Sequence, residues 1–418
     1  MPESPTERQR ASDEWAGVLH HPHRFRGARR LPARPAYGRR GRTAGRCAAP
    51  RAGGAGIGCG RAARVSAVHC GRFRGTCRRH LRRVGGSAVL PRPRRSGTDG
   101  AGPRHRRTPG GCVAMPTGGV LPPGADAVVM VEYTAETMPG TIEVTRPVAP
   151  GAGLVRADED VAAGADLVPG GRPLRAPDLG LLAAAGVVEV AVHARPRVTI
   201  LSTGDEVVAP STPALQPGQV RDATASALAG LVRDAGGDPM IAGIVPDDAG
   251  ALGAALKDVL HDADLVVVSA GSSVGARDET AGAVAALGEI WCHGIALKPG
   301  KPTLLADCDG VPVLGLPGNP LSALVVFRLI GVPLVWRLAG CAHPPPEPST
   351  RARLSRDLPS AAGRVDVVQV TVADGVATPI FGPSALLSVL TRADGCLVVP
   401  EPATGLDAGT EVDVMLYR

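Results

Sequence analysis

Four short segments between residues 202 and 320 carry residue types that bind anions and cations. Two offer carboxylates, hydroxyl groups and glycines: "STGDE", which contains Glu206, and "SAGSSVGARDE", which contains Asp278. The other two are "LKPGKP", which contains Lys298 and Lys301, and "GLPGNP". Lysines neutralise oxyanions, whereas carboxylate oxygens are the ligands that Mg²⁺ prefers in proteins. Together these segments predict chemistry at a phosphate or another oxyanion.

Each segment taken alone also has a structural explanation. Glycine-rich turns are common between strands and helices, Asp278 could cap a helix, and Glu206 could be a solvated carboxylate. Lys298 and Lys301 are two of the three lysines in a chain with 46 basic residues, but a lysine pair can simply lie on the surface. The hypothesis of a site therefore depends on all four segments meeting in one crevice.

The segment "GLPGNPLSALVVFRLI" predicts how one of these loops starts a helix. Pro317 and Gly318 turn the chain, Asn319 is a typical N-cap residue, and Pro320 suits the first helical position because it has no amide hydrogen. The free backbone amides at the start of a helix attract anions. We therefore expect this helix to begin at the crevice.

The elements that would position these loops alternate between strands and helices from Arg197 onwards. Continuous apolar runs such as "RVTILST" and "DLVVVSAG" are separated by helical stretches such as "TASALAGLVRDAGG". This pattern predicts an α/β domain with a parallel sheet that is buried on both faces. Ligands bind such sheets beyond the carboxyl ends of the strands, where the four segments would lie.

The rest of the chain divides by composition and pattern. Short strands and turns follow Val113, and then a helix is predicted with Asp178 at its N-cap, stopped by Gly186 before another strand. We therefore expect a multidomain chain with four parts: residues 1–112, residues 113–194 as a β-rich region with a linker helix, residues 195–342 as the α/β domain, and residues 343–418 as a C-terminal domain.

Residues 1–112 differ from the rest in charge. They contain 26 arginines, no lysine and five acidic residues, a formal charge of +21, whereas the remainder carries −14. They show neither a helical nor a strand period, so we expect them to be disordered or poorly folded. A basic tail or a nucleic-acid-binding arm are the alternatives.

A reading-frame error is a third interpretation of this arginine-rich segment. Codons for residues 65–83 can be chosen so that a shift of one nucleotide gives "FPRSTVDGFAVRAADTFGA", which has the pattern of ordinary folded protein. Arg, Ala, Gly, Pro and Cys are also the residues that GC-rich DNA encodes out of frame. We therefore expect residues 1–112 to have been translated from a shifted frame.

Composition also limits location and metal content. The chain has no run of about 18 uncharged apolar residues and no apolar core of a secretion signal, so a cytoplasmic protein is expected. Its nine cysteines occur without CxxC pairs or spaced histidines. The sequence therefore predicts reduced thiols rather than disulfides or a structural zinc site.

From about Val113 to the C-terminus, the chain resembles the MoeA family of molybdopterin molybdenumtransferases, which includes the gephyrin E domain. The motifs that carry the resemblance occur in the family's order: "PTGGVLPPGADAVVMVE", "RADEDVAAG", "LSTGDEVV", "GIVPDD", "SAGSSVGARD", "ALKPGKP" and "GLPGNPLSALVVF". The resemblance implies a central α/β domain like that of MoaB and Mog proteins, a β-rich N-terminal part and a C-terminal β-barrel. It also implies insertion of molybdenum from molybdate into adenylylated molybdopterin, with Mg²⁺ and release of AMP. An elongated homodimer with active sites near the subunit boundary is expected, and the molybdopterin adenylyltransferase is a possible partner.

The resemblance also assigns roles to individual residues. Glu206, Asp247 and Asp278 correspond to the family's active-site acids and are the expected Mg²⁺ ligands. Lys298 and Lys301 correspond to its anion-binding lysines. The expected substrate- and cofactor-binding residues are Thr117, Ser269, Gly271, Ser272, Ser273, Gly275, Pro317, Gly318, Asn319, Pro320, Arg364 and Ser384.

Two departures from the family pattern leave alternatives open. The chain has "SAGSSVG" where the family has "SGGVSVG", and the family's "S-x-x-DG-[YF]-AV" motif is absent but occurs in the shifted reading. An inactive or scaffold protein with this fold is therefore one alternative. A molybdopterin adenylyltransferase is another, although such enzymes consist of the α/β domain alone.

Overall fold

The computed structural model describes residues 64–68, 88–90, 112–121, 125–139, 141–270 and 274–417. They fall into two compact units. One contains the described residues up to 190 except 170–173, and the other contains 170–173 and everything from 191 onwards.

Among its described residues, the first unit contains two three-stranded antiparallel sheets and one α-helix. Its strands are β1 (Arg64–Val68), β2 (Ala88–Leu90), β3 (Cys112–Pro116), β4 (Ala127–Met130), β5 (Thr134–Met138) and β6 (Thr141–Val144). The strand orders are β3-β1-β4 and β2-β6-β5, and a short 3₁₀ helix, Val131–Tyr133, follows β4. Three consecutive residues of β4, Ala127, Val128 and Val129, are buried.

Strands β1 and β2 lie within the segment 1–112, for which the sequence predicts no regular structure. That prediction is wrong for these eight residues. Strand β1 pairs with both β3 and β4, so its hydrogen-bond partners are distant in sequence and local periodicity does not reveal them. The other residues of 1–111 lie outside the described part of the chain, and the expectation for them stays a prediction.

Helix α1 (Ala176–Ala184) is the predicted linker helix, but its first residues differ from the prediction. Arg175 is the N-cap, and Asp178 is the third helical residue, whose carboxylate accepts a hydrogen bond from the Arg175 amide at 2.7 Å. This is a capping box, in which the acid acts from inside the helix. Gly186 adopts φ +77° just after the helix, as expected, but residues 187–194 form no strand. Val188 in this stretch is 91% exposed.

The second unit begins with the predicted α/β domain. Its strands are β7 (Arg197–Thr203), β8 (Val207–Val208), β9 (Val220–Arg221), β10 (Asp238–Val245), β11 (Leu265–Ser269), β12 (Glu289–His293), β13 (Leu297–Lys298), β14 (Leu304–Cys308) and β15 (Val311–Leu316). Its helices are α2 (Thr224–Asp234), α3 (Ala249–Leu260), α4 (Val274–Ala285), α5 (Pro320–Val326) and α6 (Val332–Leu338), with a π-helical segment, Phe327–Gly331, between the last two.

The central sheet has the order β10-β7-β11-β15-β14-β12, and it is not wholly parallel as predicted. Strand β14 runs antiparallel to both of its neighbours. The cause is a tight hairpin: Asp309 and Gly310 between β14 and β15 have φ +54° and +79°. An Asp-Gly pair favours such a turn, so the chain reverses without a crossover helix. The α/β class itself is confirmed.

Helices cover both faces of this sheet. On one face, helices α2, α5 and α6 pack against Val198 and Ile200 of β7. On the other face, α3 and α4 pack against Val266 and Val268 of β11. Because successive strand residues point to opposite faces, continuous apolar strands supply both cores.

The helical stretch Pro320–Leu338 has a mean hydropathy of 1.8 and is the one helix among the described residues long and apolar enough to cross a membrane. Its residues Leu321, Phe327 and Val335 are buried in the core of the α/β domain. Packing inside the domain therefore explains its composition.

The C-terminal part forms the predicted barrel. Its elements are β16 (Ser349–Leu354), β17 (Leu358–Pro359), β18 (Val365–Ala373), β19 (Val376–Pro379), α7 (Ser388–Arg392), β20 (Gly395–Val399), β21 (Gly405–Leu406) and β22 (Glu411–Leu416). The order is β13-β18-β19-β16-β22-β20, and pairing of β18 with β20 closes the barrel. Strand β13 comes from the lysine-bearing loop of the α/β domain, so this pairing brings the two domains' site residues together.

Candidate functional site

A cleft of about 1540 Å³ lies between the loops of the α/β domain and the strands of the barrel. Its walls come from segments around the lysine loop, the start of α5, strand β18 and the loop after β19. The sequence-predicted residues that line it are Lys298, Lys301, Pro317, Asn319, Arg364 and Ser384. Gly318 and Pro320 belong to the same turn but do not line the cleft.

The buried carboxylate of Asp366 organises two of the cations. Its side chain is 3% exposed, and its two oxygens lie 3.3 Å from Lys298 Nζ and 2.9 Å from Arg364 Nε. Strand pairing produces this arrangement because Lys298 of β13 is the register partner of Asp366 in β18. The two cations are thus held side by side, although Lys298 and Arg364 lie on different domains.

Lys301, in contrast, is exposed to the cleft and forms no ion pair with any described residue. Its loop is tightly packed: Gly300 adopts φ +135°, and a Cβ at this position would lie 2.5 Å from Val326 of α5. The Thr303 hydroxyl donates a hydrogen bond to the Gly300 carbonyl at 2.6 Å. The backbone that carries both lysines is therefore fixed against the helix, while the Lys301 ammonium is available to an anion.

The turn before α5 confirms Pro320 at the start of the helix and corrects the role of Asn319. Asn319 has the extended backbone of an N-cap, but its side chain makes no capping hydrogen bond. Its amide nitrogen instead donates to Ser384 Oγ at 2.9 Å, and the Leu321 amide donates to the Ser384 carbonyl. The loop after β19 thus takes the place of the expected cap and ties the barrel to the helix start.

Glu206 and Asp247 form a separate acidic cluster, beyond the carboxyl ends of β7 and β10. Burial raises the pKa of Asp247, and the nearby Glu206 and Asp205 carboxylates raise it further. Asp247 Oδ1 is buried without a hydrogen-bond partner, while the Asp247 amide donates to Asp205 Oδ1 at 3.3 Å. Neither Glu206 nor Asp247 lines the cleft, so the structure does not gather all the predicted residues into one cavity.

The loop that carries Glu206 is fixed by its own short-range contacts. Gly204 has φ +141°, and a Cβ there would lie 2.9 Å from a Glu206 carboxylate oxygen and 2.7 Å from Val207. Just before it, Ser202 Oγ donates to Asp222 Oδ2 at 2.6 Å in a buried contact. The other Asp222 oxygen accepts from the Ala225 amide at the start of α2. The glycine and the serine of "STGDE" are therefore structural.

The predicted glycine- and serine-rich cradle is described only in part. Ser269 is buried at the end of β11, and Gly271, Ser272 and Ser273 lie outside the described residues. Helix α4 begins at Val274, so the backbones of Gly275 and Asp278 are helical. Asp278 therefore lies within this helix and not at its cap. Thr117 is exposed in the first unit.

The acidic pair suits a hard cation, although it does not by itself make a full site. Among the residues whose side chains are described, no three His, Cys, Asp or Glu residues are placed to hold a metal ion. Glu206 and Asp247 nevertheless offer carboxylate oxygens as ligands. The pKa of Asp247 is raised and its Oδ1 has no hydrogen-bond partner, so a bound cation would favour the ionised carboxylate. These two residues therefore fit Mg²⁺.

The cleft residues that were not predicted from the sequence include Asp366, Gln369 and Phe381. Asp366 is the one acid in an apolar strand, between Val365 and Val367. This pattern could have predicted a paired carboxylate, because a buried charge needs a partner. Gln369 breaks the same apolar strand four residues before Ala373. Phe381 is one of four phenylalanines in the chain, but nothing in its sequence context places it at a cleft.

Three family models match the chain. They are the MoeA N-terminal region (domains I and II) at residues 83–186, the probable molybdopterin binding domain at 199–337, and the MoeA C-terminal region (domain IV) at 351–417. The first match starts inside segment 1–112, upstream of Val113, where the motifs begin.

Named relatives and solved structures agree with these matches. Molybdopterin molybdenumtransferase 2 of Mycobacterium tuberculosis is 36% identical over 310 residues, which cover 71% of this chain and 75% of that protein. The molybdopterin molybdenumtransferase of Nostoc sp. is 38% identical over 244 residues, which cover 57% and 56%. A molybdopterin biosynthesis MoeA structure from Pyrococcus is 34% identical, with a TM-score of 0.65 over 79% of this chain and 82% of that chain. The chain belongs to the MoeA family of molybdopterin molybdenumtransferases, transferases of molybdenum cofactor biosynthesis.

Proposed function

We propose that this chain inserts molybdenum from molybdate into adenylylated molybdopterin and releases AMP. The observation that carries the proposal is the cleft in which Lys298, Lys301 and Arg364 meet. Molybdate and the phosphates of an adenylylated pterin are oxyanions, and charge-assisted hydrogen bonds from lysine and arginine are the usual way to hold them.

The cations have different roles in this proposal. Asp366 holds Lys298 and Arg364 at fixed positions, so these two define where an oxyanion sits. Lys301 has no carboxylate partner among the described residues, so its charge is the one most available for substrate. Asn319 and Ser384, hydrogen-bonded to each other, supply neutral polar groups beside the cations.

Glu206 and Asp247 would hold Mg²⁺, with Asp278 as the third predicted ligand. When bound, the ion would neutralise negative charge on the phosphate groups of the substrate. The chain's own contribution is a pair of carboxylates held beyond adjacent strands, one of which is costly to ionise without a cation.

Several properties implied by the family resemblance belong to the proposal as well. They are the cytoplasmic location, the homodimer with active sites near the subunit boundary, and the contact with a molybdopterin adenylyltransferase. The roles of Thr117, Gly271, Ser272, Ser273 and Gly275 in holding the pterin substrate also stay proposals. The presence of the barrel and of an N-terminal region disfavours the alternative of an adenylyltransferase, which the α/β domain alone would suffice to form.

The test is an assay of AMP release from adenylylated molybdopterin by the purified chain. We expect release that requires both molybdate and Mg²⁺, with molybdenum appearing in the pterin product. An inactive scaffold would release no AMP under any of these conditions. An adenylyltransferase would instead consume ATP and unmodified molybdopterin.

A further inference from the structure

Two walls of the cleft are connected through Tyr417, a residue that does not itself line the cleft. One wall is the π-helical segment Phe327–Gly331, from which Leu329 and Ile330 line the cleft. The other wall is strand β18, which carries Asp366, the carboxylate that holds two of the cations. Tyr417 follows β22 and contacts a residue of each wall.

Arg328 connects Tyr417 to the first wall. Its guanidinium carbon lies 4.7 Å from the centre of the Tyr417 ring. Its Nη2 donates a hydrogen bond to the Leu416 carbonyl at 2.9 Å and another to Glu347 Oε2 at 3.1 Å. The Arg328 side chain is only 17% exposed, and a cation–π contact is stronger where water is excluded. The end of β22 is therefore attached to the π-helical segment.

Arg328 lies in the same helical turn as the two cleft-lining residues that follow it. The Val332 amide donates to the Phe327 carbonyl, five residues earlier, whereas an α-helix would use the carbonyl four residues earlier. In this wider turn Arg328 contacts the barrel, while Leu329 and Ile330 line the cleft. Because the three residues are consecutive, a shift of Arg328 relative to the barrel would also move the apolar wall.

Gln369 connects Tyr417 to the second wall. The Tyr417 hydroxyl donates a hydrogen bond to Gln369 Oε1, and Gln369 is 3% exposed. Burial raises the pKa of Tyr417, and the nearby Cys396 thiol raises it further, so the hydroxyl stays protonated and able to donate at neutral pH. Gln369 belongs to β18, three residues after Asp366. The same tyrosine is thus bound to the strand that positions the cations.

We propose that Tyr417 is a positioning residue for the oxyanion cleft: its ring holds Arg328, its hydroxyl holds Gln369, and together they fix the distance between the apolar wall and the cations. The cations attract an anion more strongly where the cleft excludes water, so a displaced wall would weaken binding. The inference rests on the proposed function only in taking this cleft as the oxyanion site.

The test measures anion binding and amide hydrogen exchange in the full chain and its variants. Tyr417→Phe removes the hydroxyl but keeps the ring over Arg328, Gln369→Met removes the acceptor, and a third protein carries both substitutions. Tyr133→Phe is the matched control: in the first unit, the Tyr133 hydroxyl accepts from Arg146 at 3.0 Å, and its ring centre lies 5.0 Å from that guanidinium carbon. Equilibrium dialysis measures molybdate binding, and calorimetry measures orthophosphate binding. Denaturant unfolding establishes that every variant is folded under the conditions of the binding measurements.

We expect Tyr417→Phe to weaken the binding of both anions about threefold or more, as is typical of coupling carried by a network of contacts. Gln369→Met should weaken binding similarly. The double variant should bind no more weakly than the single variants, because both substitutions break the same hydrogen bond. Tyr133→Phe should bind like the native chain. Amide exchange at residues 327–331 and 364–370 should be faster in Tyr417→Phe and unchanged in Tyr133→Phe.

The proposal is overturned if Tyr417→Phe loses stability but keeps the native anion affinity, because the residue would then be merely structural. It is equally overturned if the losses in the double variant add up, or if the native chain binds neither anion. Molybdenum insertion by a chain whose anion affinity does not depend on Tyr417 would show that the proposed function stands without this positioning role. Anion affinity that depends on Tyr417, without molybdenum insertion, would support the positioning role and contradict the proposed function.

Discussion

At the residue scale, the choice between lysine and arginine carries information in this chain. The chain has three lysines, and every other residue of its Lys and Arg total is an arginine. Lys298 and Lys301 line the cleft, whereas Lys257 does not. A lysine ammonium is a compact charge on a flexible stem, which can adjust its position to an oxyanion such as molybdate. Arg364, which is fixed by Asp366, supplies the rigid counterpart.

The Asp247→Asn substitution should stabilise the protein at neutral pH in the absence of metal. The folded-state pKa of Asp247 is raised above 3.8, so its contribution to stability is most favourable below pH 3.8 and is lost as the pH rises through the raised pKa. The asparagine has no such dependence. Thermal unfolding between pH 3 and pH 8 measures this, and a variant that is less stable than the native chain at pH 7 would contradict the assigned cause.

The effect of Mg²⁺ on thermal unfolding gives a second test of the role of Asp247. Mg²⁺ alone should raise the midpoint of thermal unfolding of the native chain, because it binds the folded state and removes the repulsion between Glu206 and Asp247. The Asp247→Asn variant should show a smaller rise. Equal rises in both proteins would place the cation elsewhere.

The Asp366→Asn substitution should lower the free energy of unfolding by about 1–2 kcal/mol, since it removes a buried carboxylate that pairs with two cations. The loss is limited because Lys298 and Arg364 can still reach solvent. Asp413→Asn is the matched control: it removes an exposed pair with Arg351 and should change stability by less than about 0.5 kcal/mol. Denaturant unfolding measures both, and equal effects would contradict the structural role of Asp366.

The sequence predicted the site residues more accurately than their ion-pair and hydrogen-bond partners. Lys298, Lys301, Arg364 and Ser384 were predicted, and they do meet in one cleft. Asp366 was missed because its ion-pair partners, Lys298 and Arg364, lie outside its own strand: Lys298 is in β13 and Arg364 is in the loop before β18. The predicted contact of Asn319 was wrong because its side chain donates a hydrogen bond to Ser384, which is 65 positions away in the sequence.

At the element scale, the lysine loop and the helix Pro320–Leu338 act as one structural unit. Gly300 is pressed against α5, and Leu329 and Ile330 of the π-helical segment line the cleft. A π-helical turn changes the phase of a helix and is frequent at functional sites. In the same segment, Arg328 donates to the Leu416 carbonyl of the barrel at 2.9 Å.

The Gly300→Ala substitution tests this unit. A Cβ 2.5 Å from Val326, added at φ +135°, should displace the loop and lower the free energy of unfolding by about 1–3 kcal/mol. It should also weaken phosphate binding, because Lys298 and Lys301 move with the loop. Gly253→Ala, in α3 with open space around it, is the control and should be neutral or slightly stabilising. Comparable losses in both variants would contradict the packing argument.

Local sequence patterns predicted most elements of the α/β domain. Continuous apolar runs located the strands β7, β10 and β11, and the helical stretches between them located helices α2 and α3. These patterns did not predict the reversed strand β14, although the Asp309–Gly310 pair that causes the reversal was visible. They also could not predict β1, whose stability comes from pairing with strands far along the chain.

At the scale of the whole molecule, the charge contrast between residues 1–112 and the rest is the main unexplained feature. The family match to the N-terminal region begins at residue 83 and continues to 186. That start coincides with the end of the 65–83 segment whose shifted reading contains "RSTVDGFAV". The reading-frame error in residues 1–112 stays a proposal, and the match places residues 83–112 in the MoeA N-terminal region with the frame as written.

Sequencing of the DNA across codons 15–115 tests this proposal. We expect a single-nucleotide correction to restore the reading "FPRSTVDGFAV". A chain rebuilt with that reading should form the expected homodimer, as measured by light scattering, and should insert molybdenum faster than the chain described above. A frame that stands as written, with the same activity in both chains, would contradict the proposal.

The central claim is that the cleft between the α/β domain and the barrel binds the oxyanion substrate. Equilibrium dialysis of molybdate against the native chain, Lys301→Gln and Lys257→Gln tests it most directly. Lys257 is exposed on α3 and does not line the cleft, so it controls for the loss of one positive charge. We predict that Lys301→Gln weakens molybdate binding about tenfold or more, as expected for a lost charge-assisted hydrogen bond, and that Lys257→Gln leaves it unchanged. Equal affinities in all three proteins would contradict the account.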